Sequence, residues 1–129
     1  MSYTIVRLIP DTDMAVAEAR TRAALAARGF GVLTEIDVAA TMKAKLGKDM
    51  DGYRILGACN PGMAFAAIGM EPRVGAMLPC NVIVQDLGNG QVEIAAIDPA
   101  ASMERISQPE LTELARTVRV KLQAVLNRI

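Results

Sequence analysis

Histidine and tryptophan are absent from this sequence, and its aromatic residues are two Tyr and two Phe. Without an imidazole there is no Ser-His-Asp or Cys-His catalysis and no histidine metal site, because each needs a group that exchanges a proton or donates a lone pair near neutral pH. The serines, Ser2, Ser102 and Ser107, stand in no nucleophile elbow. No Gly-x-Gly-x-x-Gly run or phosphate loop occurs, so dinucleotide binding and nucleotide hydrolysis have no support. So few aromatics leave little surface on which bases or sugars would stack. Charge of one sign is lacking too: 14 basic and 14 acidic side chains cancel, and no basic footprint favours nucleic acid or anionic membrane. No apolar run approaches the ~20 residues of a membrane span. The opening Met-Ser-Tyr-Thr-Ile-Val-Arg lacks a charged segment followed by an apolar one, so a cytoplasmic location with reduced thiols is the expectation.

What is present fits one domain, residues 1–129, long enough to bury roughly two-thirds of its unfolded surface. Hydrophobic residues make up 52% of it, largely through alanine, which favours helix and close packing on a sheet. Tyr3 to Ile9 alternates as a strand and stops at Pro10. Asp11, Thr12 and Asp13 offer caps for a helix over 12–28, which Gly29 ends in a left-handed conformation. Val32 to Asp37 reads as a strand with Glu35 and Asp37 on one face, and Val38 to Leu46 as a short helix ended by Gly47. Tyr53 to Asn60 is extended again. Asn60 then caps a helix whose first residue is Pro61, a position where the missing N–H costs nothing.

That helix carries Met63, Ala66, Ala67 and Met70 and breaks at Pro72, and a turn follows through Leu78. Cys80 to Leu87 is a strand whose centre, Val82-Ile83-Val84, is continuously apolar, the pattern of a strand covered on both faces. Gly88-Asn89-Gly90 marks a hairpin to Gln91–Ile97, since Asn and Gly accept positive φ. Ser107-Gln-Pro-Glu110 reads as a capping box. After it Leu111, Leu114, Ala115, Val118, Leu122, Val125, Leu126 and Ile129 follow the helical period, which predicts a long C-terminal helix on the sheet. The order of elements favours an α+β class.

Three blocks, Gly29-Phe-Gly-Val-Leu-Thr-Glu-Ile-Asp-Val, Tyr53-Arg-Ile-Leu-Gly-Ala-Cys-Asn-Pro and Leu78-Pro-Cys-Asn-Val, together resemble the family called domain of unknown function 302. The resemblance implies a curved antiparallel sheet in β-α-β(4)-α order, similar in layout to the TATA-binding protein, and a homodimer. DNA binding does not travel with a shared fold. The neutral charge and the lack of intercalating Phe in exposed turns also oppose it.

The chemistry concentrates between Tyr53 and Val84, where each cysteine precedes an asparagine beside a proline: Cys59-Asn60-Pro61 and Pro79-Cys80-Asn81. Cys59 lies just before a helix N-terminus, where free N–H groups and the dipole would stabilise a thiolate. The plainer reading makes both cysteines small buried residues at strand ends. Asn60 and Asn81 have amides that donate and accept, suited to a carbonyl or carboxylate, although capping accounts for Asn60 and a strand-edge bond for Asn81. Arg54 would clamp an anionic ligand or, more simply, pair with a carboxylate of Glu35, Asp37 or Asp98; those three also invite a divalent cation or acid–base work.

Met63, Met70 and Met77 recur at a constant interval, which suggests a soft Cu(I) site or, more plainly, core packing. Two cysteines without histidine leave a zinc set incomplete unless carboxylates or a second subunit contribute. The expectation is therefore a non-catalytic homodimeric module without cofactor or metal, and with no nucleic-acid or membrane partner. It would hold a small molecule among Cys59, Asn60, Cys80, Asn81, Arg54, Glu35, Asp98 and Met63. The alternatives are a thiol-dependent redox or sensor protein, with Cys59 attacking and Cys80 resolving, and a purely structural association domain.

Overall fold

A computed structural model describes residues 2–129. The elements run β1 (Thr4–Ile9), α1 (Met14–Ala26), β2 (Gly31–Asp37), α2 (Val38–Leu46), β3 (Tyr53–Cys59), α3 (Pro61–Met70), a 3-10 segment (Pro72–Met77), β4 (Cys80–Gly88), β5 (Gln91–Ile97), α4 (Pro99–Ser102) and α5 (Pro109–Arg128). The five strands form one antiparallel sheet in the order β1-β5-β4-β3-β2. This is the α+β architecture that the element order predicts.

One face of the sheet carries the core. Leu56 pairs with Val82, Val82 with Ala96 and Ala96 with Ile5, so these side chains stand in one row. They pack with Ala17, Ala24 and Leu25 of α1 and with Leu122, Val125 and Leu126 of α5. The alanines let α1 lie close to the strands, and Thr21 in the same helix is fully buried because its hydroxyl donates to the Ala17 carbonyl at 2.8 Å. Arg7 of β1 ties the far end of α5 down by donating from Nη1 to the Leu126 and Asn127 carbonyls, both at 3.0 Å. The Asn127 carbonyl lies in the last turn, where no helical N–H follows to pair with it, and the Leu126 carbonyl also accepts from the Ile129 N–H.

The other face is different. The continuous apolar centre of β4 implies two covered faces, but α1 and α5 both lie on the Val82 side. Opposite them Val6 is 52% exposed and Leu8 47%. A second, smaller core joins Ala67, Val74, Met103, Leu111 and Ala115, under α3 and the first half of α5.

Polar residues followed by proline start the later helices. Asn60, Glu71, Asp98 and Gln108 each cap with a side-chain oxygen, and Pro61, Pro72, Pro99 and Pro109 each take the first helical position. The cap of α5 is accordingly Gln108, not Ser107: a residue before proline is driven to extended backbone, here φ −142°, so the helix begins one residue later than the capping-box pattern implies. The turn expected after Pro72 is a 3-10 segment, and α4 has no counterpart in the sequence reading. Helix α1 begins at Met14, capped by Asp13, and is shorter than the stretch 12–28.

Candidate functional site

Strands β3 and β4 end side by side, and at that end the two cores fail to close on one another. A cleft of about 40 Å³ lies in the seam. Cys59, Asn60 and Cys80 border it from the strand ends, Met63, Ala64 and Ala67 from α3. Leu111, Leu114 and Val118 of α5 and Met103 form the far wall. No charged side chain lines it.

Asn60 is fixed by its capping role: Oδ1 accepts from the Met63 N–H at 3.1 Å. Its Nδ2 has no acceptor among the described residues and is open to solvent. The amide packs on Gly29, where a Cβ would stand 3.2 Å from Nδ2 and where φ is +82°. Glycine at this turn therefore serves both the backbone conformation and the approach of Asn60.

Cys80 is 7% exposed and pairs with Ala58 on the covered face. Burial pushes its thiol up to about 11, and a charge on Cys59 would add to the shift. At neutral pH this thiol keeps its proton. The period of two places Cys59 with Gly57 on the side of β3 opposite Cys80, so the two residues meet the cleft at the strand ends without their side chains facing each other across neighbouring strands. Both cysteines are free. At Gly57 a side chain would collide with Thr34 Oγ1 and with Pro79 Cγ, which fixes how closely β2 and the cis Leu78–Pro79 bond pack on β3.

The remaining expected site residues lie elsewhere. Asn81 pairs with Gly57 and points to solvent on the open face. Arg54 sits at the other end of β3, bonded to Glu18 and within 3.6 Å of Glu35 and 3.5 Å of Asp37. Arg22 joins the same group through Glu18 and Glu35. This is the internal ion pairing that the plainer reading gives Arg54. Asp98 caps α4 by accepting from Ala100 and Ala101, and it accepts from Arg119 Nε at 2.9 Å, which locks α4 to α5. Among the described residues no three His, Cys, Asp or Glu side chains gather where they would hold a metal ion. Met70 packs in the second core, and Met77 is exposed beyond the helix break.

Sequence reasoning missed Leu114, Val118 and Met103 as walls. The periodic stripe of α5 included the first two, but the stripe has more apolar positions than the sheet can cover. The Asp98-Pro99 start of α4 repeats the Asn60-Pro61 pattern and was the available signal for the turn that presents Met103.

The architecture and this cleft define an α+β protein with a neutral apolar recess and a half-covered antiparallel sheet. Residues 7–129 match the model of the family described as "Domain of unknown function DUF302", and the chain belongs to that family. The fold is similar to the crystal structure of an uncharacterized conserved DUF302 protein from Bacillus stearothermophilus, with 29% identity and a TM-score of 0.90 over 99% of this chain and 98% of that one. No curated protein matches the sequence. No helix among the described residues is long and apolar enough to cross a membrane.

Proposed function

We propose that the protein is a non-catalytic, homodimeric binding module that holds a small molecule in the cleft where β3 and β4 end. The observation that carries this reading is the convergence of Cys59, Asn60, Met63 and Cys80 on one recess from separate segments of the chain. A dimer is supported by the open sheet face: an antiparallel sheet solvated on one side normally alternates apolar with polar, yet Val6, Leu8 and Ile36 all face water. The reading takes residues 1–129 as a single cytoplasmic unit. It includes the curved, TATA-binding-protein-like layout as architecture, with no nucleic acid and no membrane as partner.

Native mass spectrometry of protein purified without denaturation tests the ligand, and light scattering at several concentrations tests the dimer. A bound mass that disappears on unfolding supports the module. Protein that is ligand-free and insensitive to a metabolite thermal-shift screen overturns it. The thiol-dependent alternative is disfavoured by the neutral, buried Cys80, which makes a poor partner for exchange with Cys59.

A further inference from the structure

We infer that two copies of the chain pack through their open sheet faces about a two-fold axis running along β4, so that β1 of each copy lies over β2 of the other and β5 over β3. The inference rests on the homodimeric reading and deepens it by naming the surface, the orientation of the copies and the residue at the centre.

The register builds the surface. Ile36 pairs with Ile55, Ile55 with Ile83, Ile83 with Ala95 and Ala95 with Val6, so one apolar row crosses all five strands. None of these five residues belongs to either hydrophobic core. Val6 and Ile36, at the two ends of the row, are about half exposed. Polar residues flank the middle of the row, with Gln85 beside Glu93 on one side and Asn81 on the other. An apolar centre with a polar rim is the anatomy of a protein–protein interface.

Area selects the occupant. Five strands about 4.8 Å apart, each about six residues long at about 3.4 Å per residue, present roughly 500 Å² on each copy. Two such faces together reach the ~1,000 Å² that a specific interface needs. A docked helix, about 10 Å wide, would cover two strands and leave the rest of the row in water. A second sheet covers the whole row, because sheets stack face to face about 10 Å apart with their strands within about 30° of one another.

Side-chain size selects the axis. A two-fold along β4, the middle strand, sets Ile83 on Ile83 of the second copy, Ala95 against Ile55 and Val6 against Ile36. Small then meets large, as an interdigitated layer requires. The same rotation brings Glu93 over Tyr53 of the second copy, whose hydroxyl can donate to the carboxylate. An axis along the row would instead set Ala95 on Ala95 and leave a void between them.

The test is sedimentation equilibrium of the full chain, native and as Ile83→Lys, Val6→Lys, Ile36→Asp and Phe65→Asp, with circular dichroism to show that each is folded. Val6 and Ile36 are exposed enough for their variants to fold even if Ile83→Lys does not. The native chain should be a dimer. Its dissociation constant should rise at least about a hundredfold in Ile83→Lys, at the centre, and about tenfold in Val6→Lys and in Ile36→Asp, at the rim, and stay unchanged in Phe65→Asp on the exposed side of α3. An equimolar mixture of Val6→Lys and Ile36→Asp should recover the dimer, because the axis brings the new lysine against the new aspartate. Native-like dimers in all three row variants, or a dimer lost only in Phe65→Asp, overturn the inference and leave the homodimeric reading standing on another surface. A mixture no tighter than either variant alone overturns the axis and the inference with it. A native chain that is monomeric at every concentration overturns both.

Discussion

At Arg54 the guanidinium meets carboxylates from α1 and β2, whereas five residues further along, Cys59 ends the same strand and, with Asn60 after it, meets hydrocarbon walls and no charge. The two ends lie about 17 Å apart at strand rise. At the charged end Arg54 bonds to Glu18 and lies near Glu35 and Asp37, so its charge is balanced within the fold. At the neutral end Asn60 caps α3 beside a recess walled by hydrocarbon. One end of the strand thus balances its charges within the fold, and the other carries none.

Leu56 lies between the two ends and is fully buried, so Leu56→Ala should weaken both together, by about 2–5 kcal/mol in urea unfolding. A loss under about 1 kcal/mol would mean that the shared core does not hold the ends in place.

The next largest effect belongs to the neutral end. Cys80 titrates at about 11 in the folded chain against 9.0 for a free thiol. Between those values the folded chain retains a proton that the unfolded chain has lost. The stability linked to this group is therefore complete below pH 9.0 and is lost as pH rises toward about 11, by about 2–3 kcal/mol. Unfolding measured across that window should fall more steeply for the native chain than for Cys80→Ala. Equal slopes would remove the buried thiol from the account.

At the charged end Arg54→Met should cost about 1–2 kcal/mol, with the loss shrinking in high salt, because it deletes charge-assisted bonds that are partly exposed. Smallest is Asn60→Ala, which removes the cap of α3 and should cost about 1 kcal/mol in thermal unfolding without salt dependence. If salt changed the two variants alike, the contrast between the ends would fail.

Much of the fold was legible because local signals agreed. Val38–Leu46 ends at Gly47 with φ +65°, and β5 runs from Gln91 after a hairpin whose Gly88, Asn89 and Gly90 all have positive φ. Periodicity located α5, but the proline at 109 moved its start past Ser107. The candidate cleft was legible in part. Asn60 and Met63 are local to one cap, and Cys80 is the cross-strand neighbour of Ala58, so a short stretch held them together. Asn81 was misplaced because alternation sends adjacent residues to opposite faces, which sequence proximity hides. Arg54, Glu35 and Asp98 lie away from the cleft for another reason: Arg54 pairs with Glu18, Glu35 with Arg22 and Asp98 with Arg119, and the helical members of those pairs are groups that no local pattern reveals.

Backbone-amide chemical shifts followed during titration with hexane, a small uncharged probe of an apolar cleft, separate the two ends in a single spectrum. Perturbations should gather at residues 58–64, 78–80 and 111–118, with residues 18, 22, 35 and 54 still. Shifts centred on Arg54 and Glu35, or spread evenly over the open sheet face, would contradict a ligand cleft at the seam of the two cores.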